Sequence, residues 1–257
     1  MTSTSPPPVT FAGLQSVATA NLKTLHKHHQ SPRTQILSLG ALIGILSGAF
    51  VANAPLDPTR EALTDLEGSE NEKPPPFVAD PSIQSAMGDV LWALCMTGSS
   101  CGLDLRSCIL KKVQLNARKY PVDLCKGKEG KYTKYSKETG ITKDEGQSTI
   151  HEGILDDMTQ SVTEISDMIN KFSTDRLWDR FHTPRNLLLA LNGEFGELAE
   201  LFQWKGDGKL ILTEEELDKV GQELADITIY LLRLSHVCSI QIGDLAIRKA
   251  KGMVSQM

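Results

Sequence analysis

Two stretches of this chain lie over one another without a gap, and that internal repeat limits the fold more than any other feature. "SPRTQILSLGALIGILSGAF" (31–50) matches "TPRNLLLALNGEFGELAELF" (183–202), with Pro32 on Pro184, Arg33 on Arg185, Gly44 on Gly196 and Phe50 on Phe202. Further on, "MGDVLWALCMTGSSCGLDL" (87–105) matches "LADITIYLLRLSHVCSIQI" (224–242), with Asp89 on Asp226 and Cys101 on Cys238. Two gapless blocks in the same order predict a tandem duplication of one unit of roughly a hundred residues.

The unit reads as helical. Apolar residues recur at helical spacing over 11–29, 33–53, 80–101, 104–118, 152–172, 184–203, 213–238 and 242–252, and long β-branched alternations are missing. Pro32, Pro81 and Pro184 stand where first turns are expected, because a first-turn residue has no use for its N–H. Thr213 with Glu216 fits a capping box. Residues 54–79 read as a surface connection, and the Lys-, Gly- and Ser-rich 121–150 as a tail grading into a linker. The expected class is all-α.

Composition narrows the function classes. The 257 residues suffice for one large or two ordinary domains, and 40 % apolar with 23 % charged content is ordinary for a globular chain. A net charge of −5 argues against a general nucleic-acid binder. The basic run "KGKEGKYTKYSK" (126–137) is short and interspersed, and reads as a solvated tail that could also steer an anion. Cys95, Cys101, Cys108, Cys125 and Cys238 form no C-x-x-C pair and read as reduced thiols. The start "MTSTSPPPVTFAGLQS" lacks the basic opening and compact apolar core of a secretory signal, and arginine is too sparse near it for a typical organelle presequence. A cytoplasmic location is expected.

The acidic copy carries the chemistry. "NGEFGELAELFQW" sets Glu194, Glu197 and Glu200 three apart, on one helical face, beside a stripe of Leu188, Leu191, Phe195, Leu198 and Leu201. "QELADITIYLL" sets Glu223 and Asp226 three apart inside an apolar helix. Carboxylates among core leucines are costly unless paired or metal-bound, and four of them across two helices would repel. A hard divalent cation resolves that. Mg²⁺ suits oxygen ligands and leaves positions open for phosphates, so a phosphate ester or anhydride is the expected substrate. Glu-x-x-Glu alone is common on solvated helix faces; the second acidic pair is what favours a metal.

"RLWDRFHTPRNLLLALNGEFGELAELFQWKGDG" followed by "EEELDKVGQELADITIYLL" resembles the all-α nucleoside triphosphate pyrophosphatases of the MazG-like superfamily, and among them the dCTP pyrophosphatase branch. The resemblance is strong over 165–252 and weaker, in the same order, over 11–135. It implies a four-helix core, work as a dimer or tetramer, and cleavage of a nucleoside triphosphate substrate between its α- and β-phosphates. It implies Mg²⁺ on Glu194, Glu197, Glu223 and Asp226, with Glu197 orienting or deprotonating the attacking water. It also implies a base pocket at Trp178, His182, Trp204 and Tyr230; the alternative for each ring is core packing, which weighs evenly for Tyr230 and less for Trp204, beside Lys205 at a helix end. The branch often has histidine nine residues before the first tryptophan; Ile169 stands there instead.

The first copy has Leu42, Ile45 and Ala86 at the positions of Glu194, Glu197 and Glu223, and keeps only Asp89, so no metal site is expected in it. It retains "KKVQLNARKYP" (111–121), which resembles the family's nucleotide-contacting motif through Lys112, Asn116, Tyr120 and Pro121. The second copy reaches Lys249 and then has Met253 where Asn116 would fall. These complementary losses suggest an intramolecular pseudo-dimer of two four-helix units, 9–135 and 152–257 joined by a linker at 136–151. One composite site would then draw on both units, unless "NARKYP" is a retained structural tail. A homo-oligomer of such pseudo-dimers is compatible with the family pattern.

Three functions follow. The leading one is Mg²⁺-dependent hydrolysis of dCTP or a modified dCTP to monophosphate and pyrophosphate, as nucleotide-pool house-cleaning. The second is a catalytically inactive scaffold or oligomerisation partner of the same fold. The third, a membrane protein, rests on "ILSLGALIGILSGAF" (36–50), which with "VANA" is long enough to span a bilayer and has glycines at 40, 44 and 48. The repeat gives that run another origin: the acidic helix with its glutamates replaced by small or apolar residues. A buried helix in a soluble bundle, and no membrane, is therefore expected.

Overall fold

The computed structural model describes residues 7–54, 79–128, 160–206 and 212–254. The linker expected at 136–151, and nearly all of the connection at 54–79, lie outside them. The chain is all-α. Its described helices are α1 (Phe11–Thr24), α2 (Pro32–Asn53), α3 (Pro81–Ser100), α4 (Leu105–Lys119), the single turn α5 (Val122–Cys125), α6 (Val162–Asp175), α7 (Pro184–Glu200), α8 (Glu214–Val237) and α9 (Ile242–Val254).

Local chemistry sets the starts. Thr10, Ser31, Asp80, Asp104, Ser161, Thr183 and Thr213 each accept a first-turn N–H with a side-chain oxygen. Prolines occupy the first turns of α2, α3 and α7 as expected. The capping box at Thr213 and Glu216 is present, and Ser161 with Glu164 forms a second.

α3 and α8 are the central helices. α3 buries Met87, Val90, Leu91 and Leu94, and α8 buries Leu224, Ile227, Leu231 and Leu234. α2 packs on α3 and α7 on α8. The next helix in each case crosses over: α4, which follows α3, lies against α8, and α9, which follows α8, lies against α3. Contacts recur at equivalent positions across this arrangement. Lys112 of α4 pairs with Asp226 of α8, and Lys249 of α9 pairs with Asp89 of α3 at 2.8 Å. Asp89 and Asp226 stand as far apart in the chain as Lys112 and Lys249 do. The caps of α1 and α6 meet as well, in an isolated antiparallel bridge between Thr10 and Ser161.

The apolar α2 departs from expectation. It is long and apolar enough to cross a membrane. Ile36, Leu39, Ile43, Leu46 and Phe50 are buried, but Leu37 is 74 %, Ile45 60 % and Val51 75 % exposed. Only one face is core. Among the described helices, α3 packs along α2 and α7 makes a smaller contact with it. Among its glycines, Gly40 has a packing role, since a Cβ there would stand 2.4 Å from the Phe195 ring, whereas Gly44 and Gly48 meet nothing within 4 Å.

Candidate functional site

α7 and α8 bring the acidic motifs face to face. One carboxylate oxygen each from Glu194, Glu197 and Glu223 lie within 4.8 Å of one another. Burial pushes the Glu194 carboxyl up to about 7, and the charges of Asp226, Glu197 and Glu223 add to it. Glu223 is raised for the same reasons, burial first and Asp226 next. Its Oε2 is buried without a hydrogen-bond partner.

The fourth carboxylate differs. An oxygen of Asp226 is engaged by the Lys112 ammonium, and Asp226 is not among the three converging carboxylates. Burial raises its pKa while Lys112 pulls it back. Three of the four expected carboxylates thus converge, with Asp226 beside them, held by a lysine that arrives on α4.

These groups line one cavity of about 430 Å³. Every expected site residue but one lines it: Lys112, Asn116 and Tyr120 from α4 and its end, Trp178 and His182 from the loop before α7, Glu194 and Glu197 from α7, and Glu223, Asp226 and Tyr230 from α8. Trp204 is the exception. It is 91 % exposed in the turn after α7 and is not part of the cavity lining. Leu42, Ile45 and Ala86, which align with the glutamates in the sequence, contribute nothing to this cavity, and Asp89 is paired with Lys249.

The end of the cavity away from the carboxylates is aromatic. Tyr120 and Phe172 meet Trp178 edge-on, with centroids 5.3 and 5.9 Å away. Arg176 fixes this corner, stacking on Phe172 at 3.5 Å and donating to the Tyr120 carbonyl at 2.7 Å. Burial, with the Arg233 charge, holds His182 down at about 4, so the ring is neutral at physiological pH. Burial raises the Tyr230 hydroxyl, reinforced by Glu194 and Asp226, so Tyr230 is a neutral phenol.

Several lining residues escaped the sequence reading: Lys119, Phe172, Ser173 and Arg233. Arg233 alone carried a signal, a charge inside the apolar run "IYLLRLSH". The others lie on helices whose orientation no local pattern reveals.

Three converging carboxylates, a raised pKa and an orphaned buried oxygen suit a hard cation taking oxygen ligands. An all-α bundle with such a cluster at one end of a cavity and aromatic rings at the other defines a candidate metal-dependent site for a ligand that is anionic at one end and flat at the other.

No family model matches the chain. Part of it is similar to dCTP pyrophosphatase 1 of Mus musculus, 46 % identical over 82 residues, 31 % of this chain and 48 % of that protein. It is also similar to dCTP pyrophosphatase 1 of Bos taurus, 41 % identical over 108 residues, 40 % of this chain and 64 % of that protein. The counterpart of Homo sapiens is 48 % identical over 75 residues, 28 % of this chain and 44 % of that protein. The chain thus spans between about two fifths and two thirds of these relatives' lengths.

Proposed function

We propose that this chain is a Mg²⁺-dependent nucleoside triphosphate pyrophosphatase, acting on dCTP or a modified dCTP in the upkeep of the nucleotide pool. The observation that carries the reading is the cavity itself, with Glu194, Glu197 and Glu223 converging at one end and Trp178 and His182 at the other. The partial similarity to dCTP pyrophosphatase 1 supports it.

Glu194, Glu197 and Glu223 would hold Mg²⁺, with Asp226 joining them once Lys112 turns to the phosphates. When bound, the ion neutralises triphosphate charge and polarises the attacked phosphorus. Glu197, the exposed member of the cluster, orients the attacking water and takes its proton. Lys112, Asn116 and Tyr120 contact the phosphates and sugar. Trp178 and Tyr230 flank the base. The cleaved bond is the anhydride between α- and β-phosphates, and pyrophosphate leaves.

The recurring contacts favour a duplicated chain folded as an intramolecular pseudo-dimer, units 9–135 and 152–257. Equivalent pairs on both sides of an axis are what a two-fold contact produces. In that reading the first unit gave up its own carboxylates and kept α4, which completes the second unit's site.

Pyrophosphate release from a panel of nucleoside triphosphates with Mg²⁺ tests the function. Release from dCTP that vanishes in Glu197→Gln supports it. No release from any nucleotide refutes it in favour of the inactive scaffold.

A further inference from the structure

Arg233 has no part in the roles above. It is 4 % exposed, yet lines the cavity from α8 two turns beyond Asp226. At about 1.5 Å per residue it stands roughly 10 Å further along the helix axis, at the aromatic end. Lys112 and Lys119 act on Asp226 at the carboxylate end, where an anhydride's charge would be met. A second kind of cation at the other end needs a different purpose.

Its guanidinium is fixed from three directions. Nε donates to His182 Nδ1 at 3.2 Å, Nη1 donates to Asn170 Oδ1 at 2.9 Å, and Nη2 donates to the Asp179 carboxylate. Each terminal nitrogen carries two hydrogens, so one N–H on Nη1 and one on Nη2 are left over. Because His182 Nδ1 accepts from Arg233, the proton of the neutral ring lies on Nε2, which makes that nitrogen a donor as well. The Trp178 Nε1–H is buried without a partner. Three side chains at this end therefore offer N–H groups, and buried donors need acceptors.

A pyrimidine ring answers that need through only one of its common edges. Cytosine presents O2 and N3 as adjacent acceptors. Uracil and thymine carry a hydrogen on N3, which would oppose a guanidinium N–H. We propose that Arg233 reads the O2/N3 edge of cytosine and is the residue that sets cytosine above uracil and thymine in this pocket. The proposal rests on the nucleotide-binding reading above and names the group that decides its base. Asn170 and Asp179 are positioning residues that hold the guanidinium in place.

The test is binding of deoxynucleoside monophosphates to the full chain by calorimetry, with Mg²⁺ present. The series is dCMP, dUMP, dGMP and the deoxynucleotides of 3-deazacytosine, which lacks the N3 acceptor, and of pyrimidin-2-one, which keeps O2 and N3 without the amino group. The expected result is dCMP and the pyrimidin-2-one nucleotide within a few-fold of each other, with dUMP and the 3-deaza compound on the order of 10–100-fold weaker. In Arg233→Met the dCMP-to-dUMP ratio should fall to within about threefold. Equal wild-type binding of dCMP and dUMP, an unweakened 3-deaza compound, tighter binding of dGMP than dCMP, or an unchanged ratio in a folded Arg233→Met each overturns the proposal. So does a failure of every monophosphate to bind. If Arg233→Met does not fold, the ligand series on the wild-type chain decides alone. Binding needs no turnover: the expected pattern without pyrophosphate release defeats the enzyme reading only, and release from dCTP and dUTP at equal rates defeats the base reading only.

Discussion

Replacing Lys112 with Met should destabilise the protein far more than the same change at Lys249, although the two lysines make equivalent ion pairs. The Lys112 and Asp226 side chains are 15 % and 13 % exposed, while those of Lys249 and Asp89 are 44 % and 18 % exposed. Removing one partner of a buried pair leaves an uncompensated charge and costs about 3 kcal/mol, whereas a half-exposed pair is worth roughly 0–1 kcal/mol. For a chain of this size the first loss lowers Tm by about 6–12 °C. The sign with pH follows from Asp226. Burial already raises its pKa above 3.8, and loss of Lys112 raises it further. A raised carboxyl contributes stability that is complete below its unfolded pKa and is lost as pH rises through the folded one. The Lys112→Met deficit should thus be largest at neutral pH and shrink toward pH 4. Asp226→Asn in the same chain should restore most of it, because no charge is then left unpaired. Thermal and urea unfolding of both single variants and the double variant, in EDTA, give the numbers. Equal losses at Lys112 and Lys249, or no rescue by Asp226→Asn, would refute the burial argument.

Other outcomes follow from the same geometry. With Glu194 raised from 4.5 to about 7, stability in EDTA should fall as pH rises through that window, by about 1 kcal/mol after screening, and Glu194→Gln should flatten the slope. Unfolding curves from pH 4.5 to 8 measure it, and a saturating Mg²⁺ arm should remove the decline. Gly88→Ala should cost about 1–3 kcal/mol, because its Cβ would stand 2.7 Å from Leu245 Cβ and 3.2 Å from the Leu245 backbone, jamming α3 against α9. Differential scanning calorimetry that shows no loss would mean the two helices part freely. Asn116→Ala with Tyr120→Ala should lower pyrophosphate release at least tenfold if α4 completes the site; full activity in a folded double variant rules out the composite arrangement.

Much of this was legible beforehand, and for identifiable reasons. Helix starts are local: a Ser, Thr or Asp cap and a following proline act within one turn, so α2, α3, α7 and α8 fell within a residue or two of their expected starts. The convergence of Glu194 with Glu223 was legible too, because carboxylates three apart on two apolar helices have few tolerable arrangements other than facing one another. Trp204 was not legible. Its neighbours in "FQW" suggested a pocket wall, but it lies past the end of α7, where the chain turns and the ring is left in solvent. The α2 face was missed for a related reason: apolarity shows that a helix can be buried, and only the number of its neighbours decides how much of it is.

The order of residues along this chain determined its helices and the acidic motifs of its second half, since these depend on spacings within a turn. Tertiary structure decided the rest. Only the crossing of α4 onto α8 puts Lys112 on Asp226 rather than in its own half, and only the approach of α6 and the Trp178 loop to α8 turns Arg233 from a misplaced charge into a clamped donor. Such contacts join residues far apart in the chain, where the energy of a pairing depends on burial and direction that no local pattern encodes.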